Sequence, residues 1–141
     1  EIDRNIINRP RLDWNPDEVR EFETHPRRGA EALSRVAELS EDVLTVALQH
    51  HEDQLGAGYP LRLLRSHIHP MARLVAVVDE FCKNAIANPD NEKGMSAEDA
   101  LTRMKLVSGS RLDSRMLDAL ERVVKGPVKL GSTVSGGKKA A

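Results

Sequence analysis

The sequence predicts an all-α fold, a helical bundle of about six helices followed by a flexible basic tail. Three observations carry that reading. The chain is 40% hydrophobic yet holds one Trp, one Tyr and two Phe among 141 residues. Its core must therefore rest on Leu, Val, Ile, Ala and Met, a mixture that favours helices. Helix-start signals recur along the chain, and apolar residues follow them at helical spacing. There is no convincing strand and no internal repeat.

Residues 1–13 show no sustained period. Asn15-Pro16-Asp17-Glu18 reads as a helix start, with Asn as N-cap, Pro at the first helical position and acids in the first turn. A short helix over 17–23 follows. Pro26 opens a second, over 27–38, with Ala30, Leu33 and Ala37 as its apolar stripe and Val36 beside it. Ser40 caps a third, with Glu41 and Asp42 in its first turn. Its residues Val43, Leu44, Val46, Ala47 and Leu48 predict a central helix, with His50 and His51 at its C-terminal end. Gly56, Gly58 and Pro60 break any helix across 55–65.

Pro70 begins a fourth helix, running to 87. Its expected buried face is Leu74, Val75, Val78, Phe81, Cys82 and Ile86, with Asp79 interrupting the apolar run. Asn88-Pro89-Asp90-Asn91 ends it. Ser96-Ala97-Glu98-Asp99 resembles a capping box with Asp in the Glu position, and starts a fifth helix to 106. Asp113 caps a sixth, over 114–124. From Gly126 onward Gly, Ser, Lys and Ala dominate, so 1–125 reads as the folded domain and 126–141 as a flexible tail.

A net charge of −1 gives no global field to attract DNA or anionic lipid. Cys82 is the only cysteine, which excludes an internal disulfide and fits a reducing, cytoplasmic location. No apolar run approaches the ~20 residues of a membrane span, and no signal peptide is visible. The chain begins with Glu1 rather than Met and reads as a piece of a longer protein.

The chemistry-bearing residues are His25, His50, His51, His67, His69 and Asp79. Neighbouring positions on a helix point about 100° apart, so one flat face cannot use both His50 and His51. Either one is packing filler, or both reach into a cavity that other helices help to build. His25 beside Pro26 is a cap, a surface residue or a ligand. A buried Asp79 needs a partner, either a salt bridge to Arg73 or Lys83 or a metal. His67 and His69 read as surface or capping residues. Imidazoles with a carboxylate suit a borderline transition metal, which activates water at neutral pH.

The ordered pattern narrows these alternatives. His25-Pro26-x-x-Gly29, His50-His51-Glu52, Gly56-x-Gly58-Tyr59-Pro60 and Val77-Val78-Asp79-x-Phe81 resemble the HD-GYP family, a branch of the HD-domain metal-dependent phosphohydrolases. The resemblance covers roughly 12–124. It implies a helical bundle around a site of two or three divalent metals, iron or manganese above all. It also implies hydrolysis of bacterial cyclic di-GMP or a related cyclic dinucleotide by in-line attack of an activated water. Carried over by position, His25, His50 and His51 bind one metal and Asp79 its neighbour. Gly56, Gly58, Tyr59 and Pro60 lie at the mouth of the site, near substrate or partner proteins.

Three departures shape the expectation. The His-Asp pair that names the superfamily is absent and is expected just upstream of Glu1, so this chain alone is expected to show little or no turnover. Leu55 stands where the family has Asp, removing a hydrogen bond that shapes the loop. Asn88-Pro89-Asp90-Asn91 replaces a segment whose arginine grips a substrate phosphate, and Asp90 is expected to repel the anion. Lys83 or Lys93 would have to compensate. The leading reading is a cyclic di-GMP phosphodiesterase behind an upstream receiver or sensor module. The second is a regulatory module that binds metal or nucleotide, or docks on a diguanylate cyclase domain through the Tyr59 loop. The third is a plain helical domain whose histidines hold no ligand.

Overall fold

A computed structural model describes residues 2–126, so the tail expected over 126–141 lies, from 127 on, outside the described residues. Helices run over α1 (Arg4–Ile7), α2 (Pro16–Glu23), α3 (His25–Leu33), α4 (Glu41–Gln49), α5 (Pro70–Ala85), α6 (Ala97–Val107) and α7 (Ser114–Lys125). Single 3-10 turns occupy Arg11–Asp13 and Arg65–His67. Among the described residues there is no strand, only isolated bridges at Leu55–Leu64 and Asn88–Asn91.

The caps explain most boundaries. The Asn15 side chain accepts from the N–H groups of Asp17 and Glu18, and Glu18 returns a bond to the Asn15 N–H at 2.8 Å, a complete capping box. Ser96 Oγ accepts the Asp99 N–H and donates to Asp99 Oδ2 at 2.7 Å. Asp99 thus engages the hydroxyl of its cap. Asp113 Oδ1 takes the N–H groups of Arg115 and Met116. Ser40 begins α4 without a side-chain bond.

Two helices depart from expectation. The four-residue α1, capped by Asp3 at 2.8 Å from the Asn5 N–H, is too short to show a period. The second predicted helix spans 27–38, but α3 ends at Leu33. There Ser34 turns its hydroxyl onto the Glu31 carbonyl, and the chain reverses through Glu38 at φ 67°.

The core lies between α5, α6 and α7. Val77, Leu101, Met104, Leu112 and Leu117 form it, with Ala76, Phe81 and Leu120 packed against it. Leu101 and Met104 are fully buried, each worth about 1.5–3 kcal/mol of transfer free energy. The predicted face of α5 is therefore rotated. Val77 points inward, and Val78, about 100° further round, is 44% exposed. Ile86 lies beyond the last helical residue and is exposed. Nor is α4 central. It packs between α3 and α5, and none of its residues is fully buried.

Three buried carboxylates tie this core to the connection between α4 and α5. Asp113, 3% exposed, holds Arg73 at 2.7 Å and Arg65 at 3.3 Å while capping α7. Glu52 accepts the N–H groups of Leu61 at 2.6 Å and Leu63 at 2.8 Å. Asp53 Oδ1 accepts those of Leu55 and Ala57, both at 2.9 Å, and its Oδ2 meets Arg111 at 2.7 Å. Burial alone would raise the Asp53 pKa, but these donors hold it below the usual carboxylate range. The shaping bond that Leu55 was expected to remove is thus supplied by Asp53. Gly56 provides a left-handed φ of 73°. Gly58 lies so close to the backbone that follows α4 that a Cβ there would stand 2.5 Å from the His51 carbonyl oxygen, the Glu52 Cα and the Asp53 nitrogen.

Two outcomes follow from this bracing. Asp113→Ala removes a cap and unpairs Arg73, and should cost about 2–4 kcal/mol in urea denaturation at neutral pH. Asp113→Asn keeps the capping oxygen and should cost clearly less, so equal losses for the two variants would contradict the capping contribution. Gly58→Ala should lower stability by about 2 kcal/mol or more, because backbone must move to admit the methyl. An unchanged midpoint would show that the loop is not pressed onto His51.

Candidate metal centre

His25 opens α3, while His50 is the C-cap of α4 and His51 follows it. One ring nitrogen from each of the three lies within 4.8 Å of the other two. The adjacent histidines meet because the helix ends at Gln49. Beyond it the chain turns, and the rings of His50 and His51 come to 4.2 Å between centroids. His25 Nδ1 donates to the Phe22 carbonyl at 2.7 Å and His50 Nδ1 to the Ala47 carbonyl at 2.8 Å. A carbonyl only accepts, so each ring carries a proton on Nδ1, and in its neutral form keeps a free lone pair on Nε2. Those two Nε2 atoms stand 3.3 Å apart.

Electrostatics favour the neutral form of two of the three rings. Burial lowers the His25 pKa, and burial followed by the Lys83 charge pushes that of His51 down to about 2. Neutral imidazole is the form that ligates metal. Protonation state, tautomer and convergence therefore all fit a divalent cation of borderline softness.

Asp79 stands at the edge of this group, outside the imidazole trio. Its Oδ2 is 3.7 Å from His51 Nδ1 and 2.5 Å from Lys83 Nζ. Of its two expected salt-bridge partners, Lys83 is engaged, while Arg73 turns to Asp113. His67 is exposed, and His69 caps α5 by accepting the Met71 N–H. Neither joins the cluster.

The walls are aromatic. Phe22 lies 4.7 Å from the His25 ring and 5.0 Å from Trp14, and Tyr59 lies 4.8 Å from the His51 ring. Tyr59 is half-buried, its N–H bonds the His51 carbonyl at 3.1 Å, and burial pushes its hydroxyl pKa up. It forms a wall beside the His25 and His51 rings. Phe22 and Arg11 were missed in the sequence. The available signal was scarcity, because three of the four aromatic residues of this chain gather here.

Two clefts flank the cluster. One, about 300 Å³, is lined by His51, Tyr59 and Asp79, and the other, about 450 Å³, by Trp14, Phe22 and the 88–91 segment. Lys83 lines both, whereas Lys93 is exposed and borders neither. The 88–91 segment is a self-bonded turn. Asn88 and Asn91 exchange backbone bonds, and the Asn88 amide caps the carbonyls of Lys83 and Ile86 at the end of α5. Asp90 Oδ1 accepts the Arg11 N–H at 2.6 Å, so its carboxylate serves a backbone contact at the rim of the larger cleft.

Comparison with known proteins places the chain in a family. The HD domain family model matches residues 2–116. A cyclic di-GMP phosphodiesterase of Pseudomonas aeruginosa is 33% identical over 84% of this chain and 28% of its own length. The cyclic di-GMP phosphodiesterase response regulator RpfG of Xanthomonas campestris is 37% identical over 75% of this chain and 28% of its own length. The chain thus spans under a third of these two relatives. Among solved structures, Bd1817 of Bdellovibrio bacteriovorus, described as an HDG"Y"P protein, superposes with a TM-score of 0.67 at 20% identity, over 84% of this chain and 37% of its own. That likeness supports the fold alone. With the tandem histidines closing on His25 and the Gly56–Pro60 loop pressed against them, the chain belongs to the HD domain family, in its HD-GYP branch.

Proposed function

We propose that this domain is the metal-binding part of a phosphodiesterase that hydrolyses cyclic di-GMP in bacterial second-messenger signalling. The observation that carries the reading is the convergence of three imidazoles, two of them held neutral by burial. His25, His50 and His51 would hold one divalent ion, and Asp79 a neighbour. Iron or manganese matches the imidazole and carboxylate donors. Ions bound there supply Lewis acidity toward phosphoryl oxygens and an acidified water. The chain's own residues do the rest. The Phe22 and Ala47 carbonyls orient the ligands, while Phe22 and Tyr59 exclude bulk water from one side of the cluster. The names of the relatives support the substrate, and the response-regulator relative supports a receiver or sensor module elsewhere in the whole protein.

A second reading is a regulatory module that binds metal or nucleotide, or docks on a diguanylate cyclase domain, without turnover. The Lys83–Asp79 ion pair favours it, since it occupies the carboxylate assigned to a second ion. No helix among the described residues is long and apolar enough to cross a membrane.

Two measurements test these readings. After anaerobic loading with iron or manganese, about one or more ions per chain should remain bound, and His50→Ala or His51→Ala should abolish retention. Cyclic di-GMP turnover by the whole protein should then fall at least ~100-fold in the same variants. Retained metal without turnover selects the regulator, and no retained metal refutes the phosphodiesterase reading.

The second measurement is affinity against pH. Three ordinary imidazoles with pKa about 6.5 would lose roughly a thousandfold in affinity between pH 7.5 and 5.5. The lowered values at His25 and His51 mean that protons compete less in this window, so the decline should be clearly smaller. A full thousandfold loss would contradict the neutral cluster.

A further inference from the structure

The two clefts meet at Arg11, Glu80 and Lys83. The two cations there differ in how far their charge is already matched. Lys83 Nζ stands 2.5 Å from Asp79. The Arg11 guanidinium has Glu23 Oε1 at 3.7 Å, beyond hydrogen-bond distance, and its side chain is 44% exposed. It rests 5.6 Å from the Trp14 ring centre and 5.4 Å from that of Phe22, and it lies beside the Tyr59 hydroxyl. A guanidinium steadied over aromatic faces keeps in-plane N–H edges for an anion, and its fork matches two phosphate oxygens at once.

The backbone under Arg11 is fixed from far along the chain. Its N–H donates to Asp90 Oδ1 at 2.6 Å across 79 residues, and the Asp90 N–H is itself held by Asn88 Oδ1 at 3.0 Å. Asp90 therefore acts on this cleft in two opposed ways. As a charge at the rim it repels anions, and as a latch it sets where Arg11 stands. The remaining acid at the junction, Glu80, accepts the Ser108 hydroxyl at 2.8 Å. Past Arg11 the larger cleft offers the Trp14 and Phe22 rings together with Arg103, Arg9 being paired with Glu18, a lining suited to a flat base on a charged backbone.

We propose that Arg11, latched in place by Asp90, grips a phosphate of a nucleotide ligand at the junction of the two clefts, with the adjoining nucleoside in the Trp14–Phe22 cleft. This rests on the nucleotide substrate proposed above and adds the residue that positions it. Arg11 belongs to none of the motifs that mark the family resemblance, and Lys83, the basic residue the sequence offered, has its charge matched by Asp79.

The test is the Kd for cyclic di-GMP of the manganese-loaded chain, by equilibrium dialysis with the ligand's integrity checked by chromatography. Arg11→Ala should raise Kd about tenfold or more, with bound manganese unchanged, and Arg11→Lys should recover only part of the loss. Asp90→Ala decides between latch and repeller: a latch predicts weaker binding, a simple repelling charge tighter binding. A Kd for Arg11→Ala within threefold of the unmutated chain, or tighter binding by Asp90→Ala, overturns the proposal. No binding of cyclic di-GMP by the unmutated chain overturns the substrate reading along with it. Binding that ignores Arg11 overturns this inference alone.

Discussion

Three imidazoles can share one point only while they remain uncharged. With ring nitrogens no more than 4.8 Å apart, two protonated rings would repel by roughly 3 kcal/mol or more even at an effective dielectric of about 20. Much of the surrounding architecture serves that constraint. The Phe22 and Ala47 carbonyls take the Nδ1 protons of His25 and His50, so that both rings turn lone pairs toward the centre. Phe22 and Tyr59 cover the rings and make protonation costly. Lys83, whose charge also bears on the cluster, is matched by Asp79 at 2.5 Å. The ion pair beside the histidines is thus part of the same arrangement.

Holding the rings together requires rigid backbone on a segment that is not helical. His50 and His51 lie where α4 has ended, and the following loop would be free to carry them away. It is held by buried carboxylates. Glu52 and Asp53 gather four loop N–H groups between them, and Asp53 also reaches Arg111 on the approach to α7. Asp113 joins Arg73 of α5 to the start of α7. The apolar core of α5, α6 and α7 is therefore a platform, and the site is strapped to it by polar contacts from one side. Gly58 completes the strap, because only a residue without Cβ lets the loop lie on the His51 carbonyl.

What could be read from the sequence divides along physical lines. Caps act within three or four residues, so Asn15, Ser96 and Asp113 marked their helices well. The histidines and the glycine loop were legible as an ordered motif. The rotation of α5 was not, because which of two apolar stripes faces inward depends on where α6 and α7 lie. The apolar run of α4 suggested a central helix, but composition says that a helix seeks cover, not how much it receives. Leu55 was read as a lost hydrogen bond because the sequence does not show that Asp53, two residues earlier, turns its carboxylate onto the same loop.

The same limit explains the basic residues around the clefts. Lys83 stands four residues from Asp79 on one helix, and sequence alone marks it equally as salt-bridge partner and phosphate ligand. The structure gives most of its charge to the carboxylate. Arg11 carries no motif, and its placement depends on Asp90, 79 positions away. Charge near an anion site counts by what remains after neighbours have been matched, and that remainder is a property of three-dimensional pairing. A cation on a helix beside an acid one turn away tends to be neutralised locally. A cation on a short turn, propped over aromatic rings and fixed through its backbone, keeps its side chain available. Electrostatic reach toward a ligand here therefore belongs to the turn preceding α2 more than to the helix that carries Asp79.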